Sequence, residues 1–159
     1  PALAWWMYVR MHTPVDMNPY LAPYPFAGII RQTLGGYNNP TDTLWLRAAG
    51  VLEWVALAGI WLALGLSLYI GATVLLSRRA EWIEITAFLF ALFAASLNKM
   101  DLWESAYATG RTMSPMLVVL GLLAWQRRRA VFALPLLLVV PRIVLQYEAE
   151  TKGILRGML

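Results

Sequence analysis

The chain alternates between long apolar runs and polar, turn-like islands. The longest run, residues 43–77, contains a stretch from about Leu52 to Leu76. At ~1.5 Å per residue that stretch is long enough to cross a ~30 Å hydrocarbon layer. A second run covers residues 81–97, a third 115–126 and a fourth 130–147. The last two are shorter than a comfortable span. Either local thinning and snorkelling arginines let them cross, or they form a re-entrant hairpin. Pro135 and Pro141 predict kinks in the fourth run, where neighbouring helices would cover the freed carbonyls. The pattern predicts an all-α, polytopic transmembrane helical bundle of about four spanning or partly spanning helices, folded as one membrane domain with a surface lid.

The lid is the segment 10–42. Pro14, Pro19, Pro23, Pro25 and Pro40, with Gly35-Gly36 and Asn38-Asn39, break helices and make turns there. Tyr20, Tyr24, Phe26, Ile29, Ile30 and Tyr37 supply more apolar bulk than a disordered linker carries. Ordered structure against the membrane surface is expected, with one short amphipathic helix over 26–34. Residues 1–9 read as the end of a truncated helix, which makes the natural protein longer or processed. Residues 98–114 form a polar, turn-like island holding Lys99, Asp101, Glu104, Tyr107 and Arg111. Ser114 is placed as the cap of the third run and Pro115 as its first residue. The mixed tail 148–159 is expected to lie at the surface as a short helix.

Composition sharpens this picture. Of the 159 residues 60% are hydrophobic and 14% charged, against about a quarter charged in soluble domains. The mean hydropathy is +0.58. A soluble all-α core is the alternative, and the apolar runs are too long for it. The net charge of +4 gathers at helix ends, which marks topology and not nucleic-acid binding. Without cysteine there is no disulfide or thiolate site, and the single His12 makes a multi-histidine metal site impossible within the chain. No cofactor is expected. Arg78-Arg79 and Arg127-Arg128-Arg129 sit in the two tight connections, so both point to the cytoplasm under the positive-inside rule. Lid, island and tail then share the outer face. Small residues recur every four positions at Gly59, Ala63, Ser67 and Gly71, and again at Ala87, Ala91 and Ala95. The two stripes suit a close antiparallel pair, although alanine is common in membrane helices anyway.

Ionisable groups at membrane depth are the candidate chemistry. Glu53 lies about one turn inside the outer end of the first span, and Arg142 a little over one turn before the outer end of the last. Both come to the outer leaflet, where they can pair. One reading is a site for an anionic lipid head group, with Arg142 and Arg111 on the phosphate and Tyr107 and Glu53 beside them. The other is that the charges snorkel to the interface. Glu84, near the cytoplasmic end of its helix, reads as interfacial. Glu104, Tyr107 and Arg111 would share a helix face, which suits an ion pair as well as a site. No phosphate loop, nucleophile elbow or metal motif is present, and no catalytic residue stands out.

Two patches resemble a known family. One is Trp103-Glu-Ser-Ala-Tyr-Ala-Thr-Gly-Arg111-Thr-Met-Ser-Pro115, followed by an apolar run; the other is the Asn/Pro/Tyr-rich loop from Asn18 to Gly28 after a Trp-rich helix end. Together they resemble the C-terminal part of bacterial polytopic membrane proteins related to GT-C-type glycosyltransferases. That resemblance implies sugar transfer from a polyprenyl-phosphate donor at the extracytoplasmic face of the inner membrane. It also implies that the catalytic acid lies in an earlier loop, so no catalytic residue carries over to this chain. Arg111, Tyr107 and Ser114 become lipid-phosphate or packing positions.

Three classes of function are open on these grounds. The chain is a membrane-embedded portion of a glycosyltransferase-like protein handling lipid-linked sugars, or a non-enzymatic integral-membrane subunit of a respiratory, photosynthetic or transport complex, or a transporter fragment. Membrane lipids are expected partners in each case. A polyprenyl-phosphate sugar is expected in the first, and the rest of a longer chain or other membrane subunits in the first two.

Overall fold

The computed structural model describes residues 11–12, 24–36, 44–77, 81–98 and 102–157. Among them the secondary structure is all-helical: α1 (Ala27–Gly35), α2 (Leu44–Ser77), α3 (Trp82–Ser96), α4 (Ala106–Arg127), a 3-10 turn (Ala130–Phe132) and α5 (Leu134–Gly157). The expected helix end at 1–9 and most of the lid 10–42 lie outside the described residues; the helix expected at 26–34 falls on α1.

Helices α2 and α4 each pack against both α3 and α5, and α2 also meets α4 across the middle. Short connections make successive helices antiparallel neighbours. The α2–α5 direction is fixed by two contacts: Gly59 lies against Leu138 and Val139, while Glu53, further toward the start of α2, reaches Arg142, further along α5. The arrangement is an up-down-up-down bundle of four helices. Its interior is built from small and branched groups: Ala56, Ala63, Ala87, Ala91 and Ala94 let the axes approach, and Ile60, Leu64, Leu117, Leu120 and Leu123 fill between them. Helix α1 rests where α3 stops. Phe26 N donates to Ala95 O (2.9 Å), and Trp61 Nε1 donates to Thr33 Oγ1 (3.0 Å). A Cβ at Gly28 would overlap the buried Trp103 indole, so only glycine lets α1 come this close.

The small-residue stripe of α2 is divided between two partners. Gly71 faces Phe88 of α3, where a Cβ would overlap the ring. Gly59 faces α5 instead, where a Cβ would lie 2.9 Å from Leu138 Cβ and 3.1 Å from the Pro135 carbonyl oxygen. The cause is length: α3 has 15 residues against 34 in α2, so it ends before reaching Gly59.

Three expected boundaries move. Helix α4 starts at Ala106, not at Ser114-Pro115, and Ser105 is its cap, with Oγ accepting from Ala108 N (3.1 Å). The helix that carries the third apolar run is thus 22 residues long, ~33 Å at ~1.5 Å per residue, with the run 115–126 as its second half. Pro115 is tolerated inside it for a visible reason. Proline cannot donate to the carbonyl four residues back, and Ser114 Oγ donates to that Arg111 carbonyl instead (2.8 Å). The expected 98–114 loop shrinks accordingly. Pro135 causes no interior kink, because it lies in the first turn of α5, where its missing N–H has no partner to lose. Finally, α5 runs without a break to Gly157, so residues 148–157 of the expected tail continue the last helix. No proline or glycine stops it between Tyr147 and Lys152, and Thr151 Oγ1 folds back onto Tyr147 O (2.7 Å).

Two segments, Leu46–Leu76 and Ala130–Glu148, are long and apolar enough to cross a membrane; Trp82–Ser96 is apolar but shorter.

Candidate functional site

Charged groups enter this bundle at two places, one toward each end. The first lies between α2 and α5. Arg142 Nε donates to Glu53 Oε1 at 2.6 Å, and Arg142 Nη1 donates to Gln146 Oε1 at 3.1 Å. Glu53 is only 1% exposed and the Arg142 side chain 11%. Gln146 stands four residues after Arg142, one helical turn along the same face, so α5 itself presents the second acceptor. A charge in such surroundings is held by its partner, because leaving either group alone in a low-dielectric interior is costly.

The second place joins α3 and α4 beside their shared end. Arg127 forms an ion pair with Glu84, and Gln126 Nε2 donates to Glu81 Oε2 at 2.7 Å. Glu81 and Glu84 also close a capping box at the start of α3, with Glu81 N donating to Glu84 Oε2 (3.1 Å). Sequence reasoning took Glu84 as interfacial, and the structure buries it at 5% exposure. Its partner comes from a different hairpin, so no sequence spacing announces the pair.

Of the four expected site residues, the structure brings Glu53 and Arg142 together, while Tyr107 packs further along α5. Glu53 is the ion-pair partner, and Tyr107 meets Tyr147 edge-on, with ring centroids 6.0 Å apart. The close approach of α4 to α5 is set by Gly110, which lies against Val139 and Ile143. Arg111, the fourth, is exposed on α4 next to Gly110. Glu104 precedes the helix, so it does not share a face with Tyr107 and Arg111. Thr109 is buried and its hydroxyl donates to Leu102 O (3.0 Å), which ties the 102–105 turn to the first turn of α4. Gln126, Gln146 and the Glu84–Arg127 pair are the polar contacts that sequence reasoning missed. Only Gln146 carried a usable signal, its four-residue offset from Arg142.

Among the described residues no group of three or more His, Cys, Asp or Glu side chains could hold a metal ion. The arrangement offers a buried ion pair, a second pair exposed on its arginine side, the exposed Arg111 and aromatic rings. These groups can fix helix register and contact an anion; they do not assemble a nucleophile with a base.

What the fold and these groups define is an all-helical bundle with two helices long and apolar enough to span a membrane. Compared with known proteins, the chain matches no protein-family model, no curated protein and no solved structure.

Proposed function

We propose that this chain is a multi-pass bundle of the bacterial inner membrane that works as the embedded, non-catalytic part of a larger membrane protein or complex. One observation carries this reading: around its apolar core the bundle also turns large apolar side chains outward on every helix, while polar groups lie inside. Glu53, Glu84 and Ser67 are buried, while Leu76 is 85% exposed and Leu137 63%. Large apolar side chains face outward from all four bundle helices, including Tyr69 on α2, Phe93 on α3, Val118 on α4 and Val144 on α5. Exposed apolar surface on every side suits lipid as the solvent. The buried charges are spent on each other, which supports a role in holding helices together. The reading is tested by fractionation. The chain stays in the membrane pellet through alkaline carbonate, leaves it only in detergent, and carries partner proteins with it. Recovery as a detergent-free monomer contradicts it.

A second reading is a lipid-linked sugar site at the extracytoplasmic face. It is favoured by the Glu53–Arg142 pair and the Tyr107–Tyr147 contact, both made within residues 142–147 of α5, and by the exposed Arg111 on α4. Binding of a polyprenyl-phosphate sugar to the purified chain, weakened about ten-fold by Arg111→Gln, is expected on this reading, since an ionic hydrogen bond contributes ~1.5 kcal/mol. Equal binding by the variant, or none by the wild type, removes it.

A further inference from the structure

The turn after α4 is held in a shape that favours glycine, yet it carries arginine. Arg128 has φ 52° and ψ 38°, in the left-handed region. Its N–H donates to Trp125 O (3.3 Å) and the Arg129 N–H to Ala124 O (3.0 Å). This is the helix-ending motif whose left-handed position is usually glycine. The backbone of the turn is therefore satisfied internally, and the arginine side chains are what it offers to the outside. Both Arg128 and Arg129 are exposed, and neither forms an ion pair among the described residues. The nearby charged groups are already engaged: Arg127 with Glu84, and Glu81 with Gln126.

The same end carries two outward tryptophans. Trp82 is 71% exposed at the start of α3 and Trp125 is 82% exposed near the end of α4. They share one depth in the bundle, because their chain neighbours Glu81 and Gln126 are hydrogen bonded to each other (2.7 Å). Exposed tryptophan on a membrane helix sits at the head-group level, with its ring in the apolar edge and its N–H toward water. With the bundle in a membrane, Arg128 and Arg129, three and four residues after Trp125, come to the aqueous side of it. That is where lipid phosphates lie.

We propose that this turn, with Trp82 and Trp125 beside it, binds the phosphate head group of an anionic phospholipid. The proposal rests on the membrane reading above. The guanidinium groups meet the phosphate oxygens, and the two indoles pack on the glycerol and upper acyl region of the same leaflet. The aromatic pair is what separates a lipid from a free anion.

The test uses the full chain in mixed vesicles of phosphatidylcholine and phosphatidylglycerol, with the lipid retained after mild solubilisation identified by mass spectrometry. The wild type retains phosphatidylglycerol preferentially, and raised salt reduces the preference. The variant R128G/R129Q loses about five-fold per arginine removed, equivalent to ~1 kcal/mol each. Glycine suits the left-handed position, so the variant keeps its unfolding midpoint. R129Q alone leaves the turn residue in place and shows the single five-fold step. Equal retention of phosphatidylglycerol by wild type and R128G/R129Q overturns the proposal. Displacement of the lipid by inorganic phosphate at equal concentration overturns it too, in favour of a plain anion site. A chain that integrates into the vesicles but holds both lipids equally refutes only this site. A chain that fails to integrate refutes the membrane reading beneath it.

Discussion

Glu53 and Arg142 hold opposite charges in a place that water barely reaches, 2.6 Å apart. Removing one partner leaves the other buried without its counter-charge, at a cost of about 3–5 kcal/mol. Glu53→Gln and Arg142→Gln are each expected to lower stability by that order, read from unfolding in detergent. The double variant E53Q/R142Q recovers much of the loss, because neutral amides can hydrogen bond to each other. If either single change were as mild as a surface substitution, the pair would not be holding the bundle. These two residues were legible in the sequence, because a lone charge inside an apolar run has few places to go. The pair of Glu84 with Arg127 was not legible. Its existence depends on how two separate hairpins dock, which neither hairpin states on its own.

At the scale of the element, the start of α4 is the instructive case. A serine before a proline matches a helix start, and so does a serine before a run of small residues. Both occur here, at Ser114 and Ser105. The structure uses Ser105 as the cap and gives Ser114 the task of bonding the carbonyl that Pro115 leaves open. Ser105→Ala is therefore expected to cost ~1 kcal/mol, the usual worth of a cap, and Ser114→Ala less, since its bond is exposed. Comparing the two unfolding midpoints decides between the assignments. The glycines of α2 allow a similar comparison. Gly71→Ala drives a methyl into the Phe88 ring and is expected to cost ~1–3 kcal/mol. Gly65→Ala meets nothing within 4 Å and is expected to be neutral, or to stabilise by up to ~1 kcal/mol through helix propensity. The four-residue recurrence of small residues marked helix contact in the sequence. It did not tell which helix each glycine would face, because that follows from the different lengths of α3 and α5.

For the whole molecule, the all-helical class was visible in the long apolar runs, and so was the position of both tight connections. The Gln126–Glu81 and Arg127–Glu84 contacts put the end of α4 beside the start of α3, at the end of the bundle opposite Leu102–Ser105. Helices with apolar groups on every face would aggregate in water, and lipid removes that conflict. On the proposed membrane reading, the positive-inside rule places the arginines of the α4–α5 turn on the cytoplasmic side. Because the chain contains no cysteine, single introduced cysteines report sidedness without background. The most direct test places one at Arg129 and one at Glu104, in separate variants, and treats intact cells with a membrane-impermeant maleimide. Glu104→Cys is expected to label in intact cells, and Arg129→Cys only after the cytoplasmic side is opened. Labelling of both positions from the same side would contradict a bundle that crosses the membrane between them.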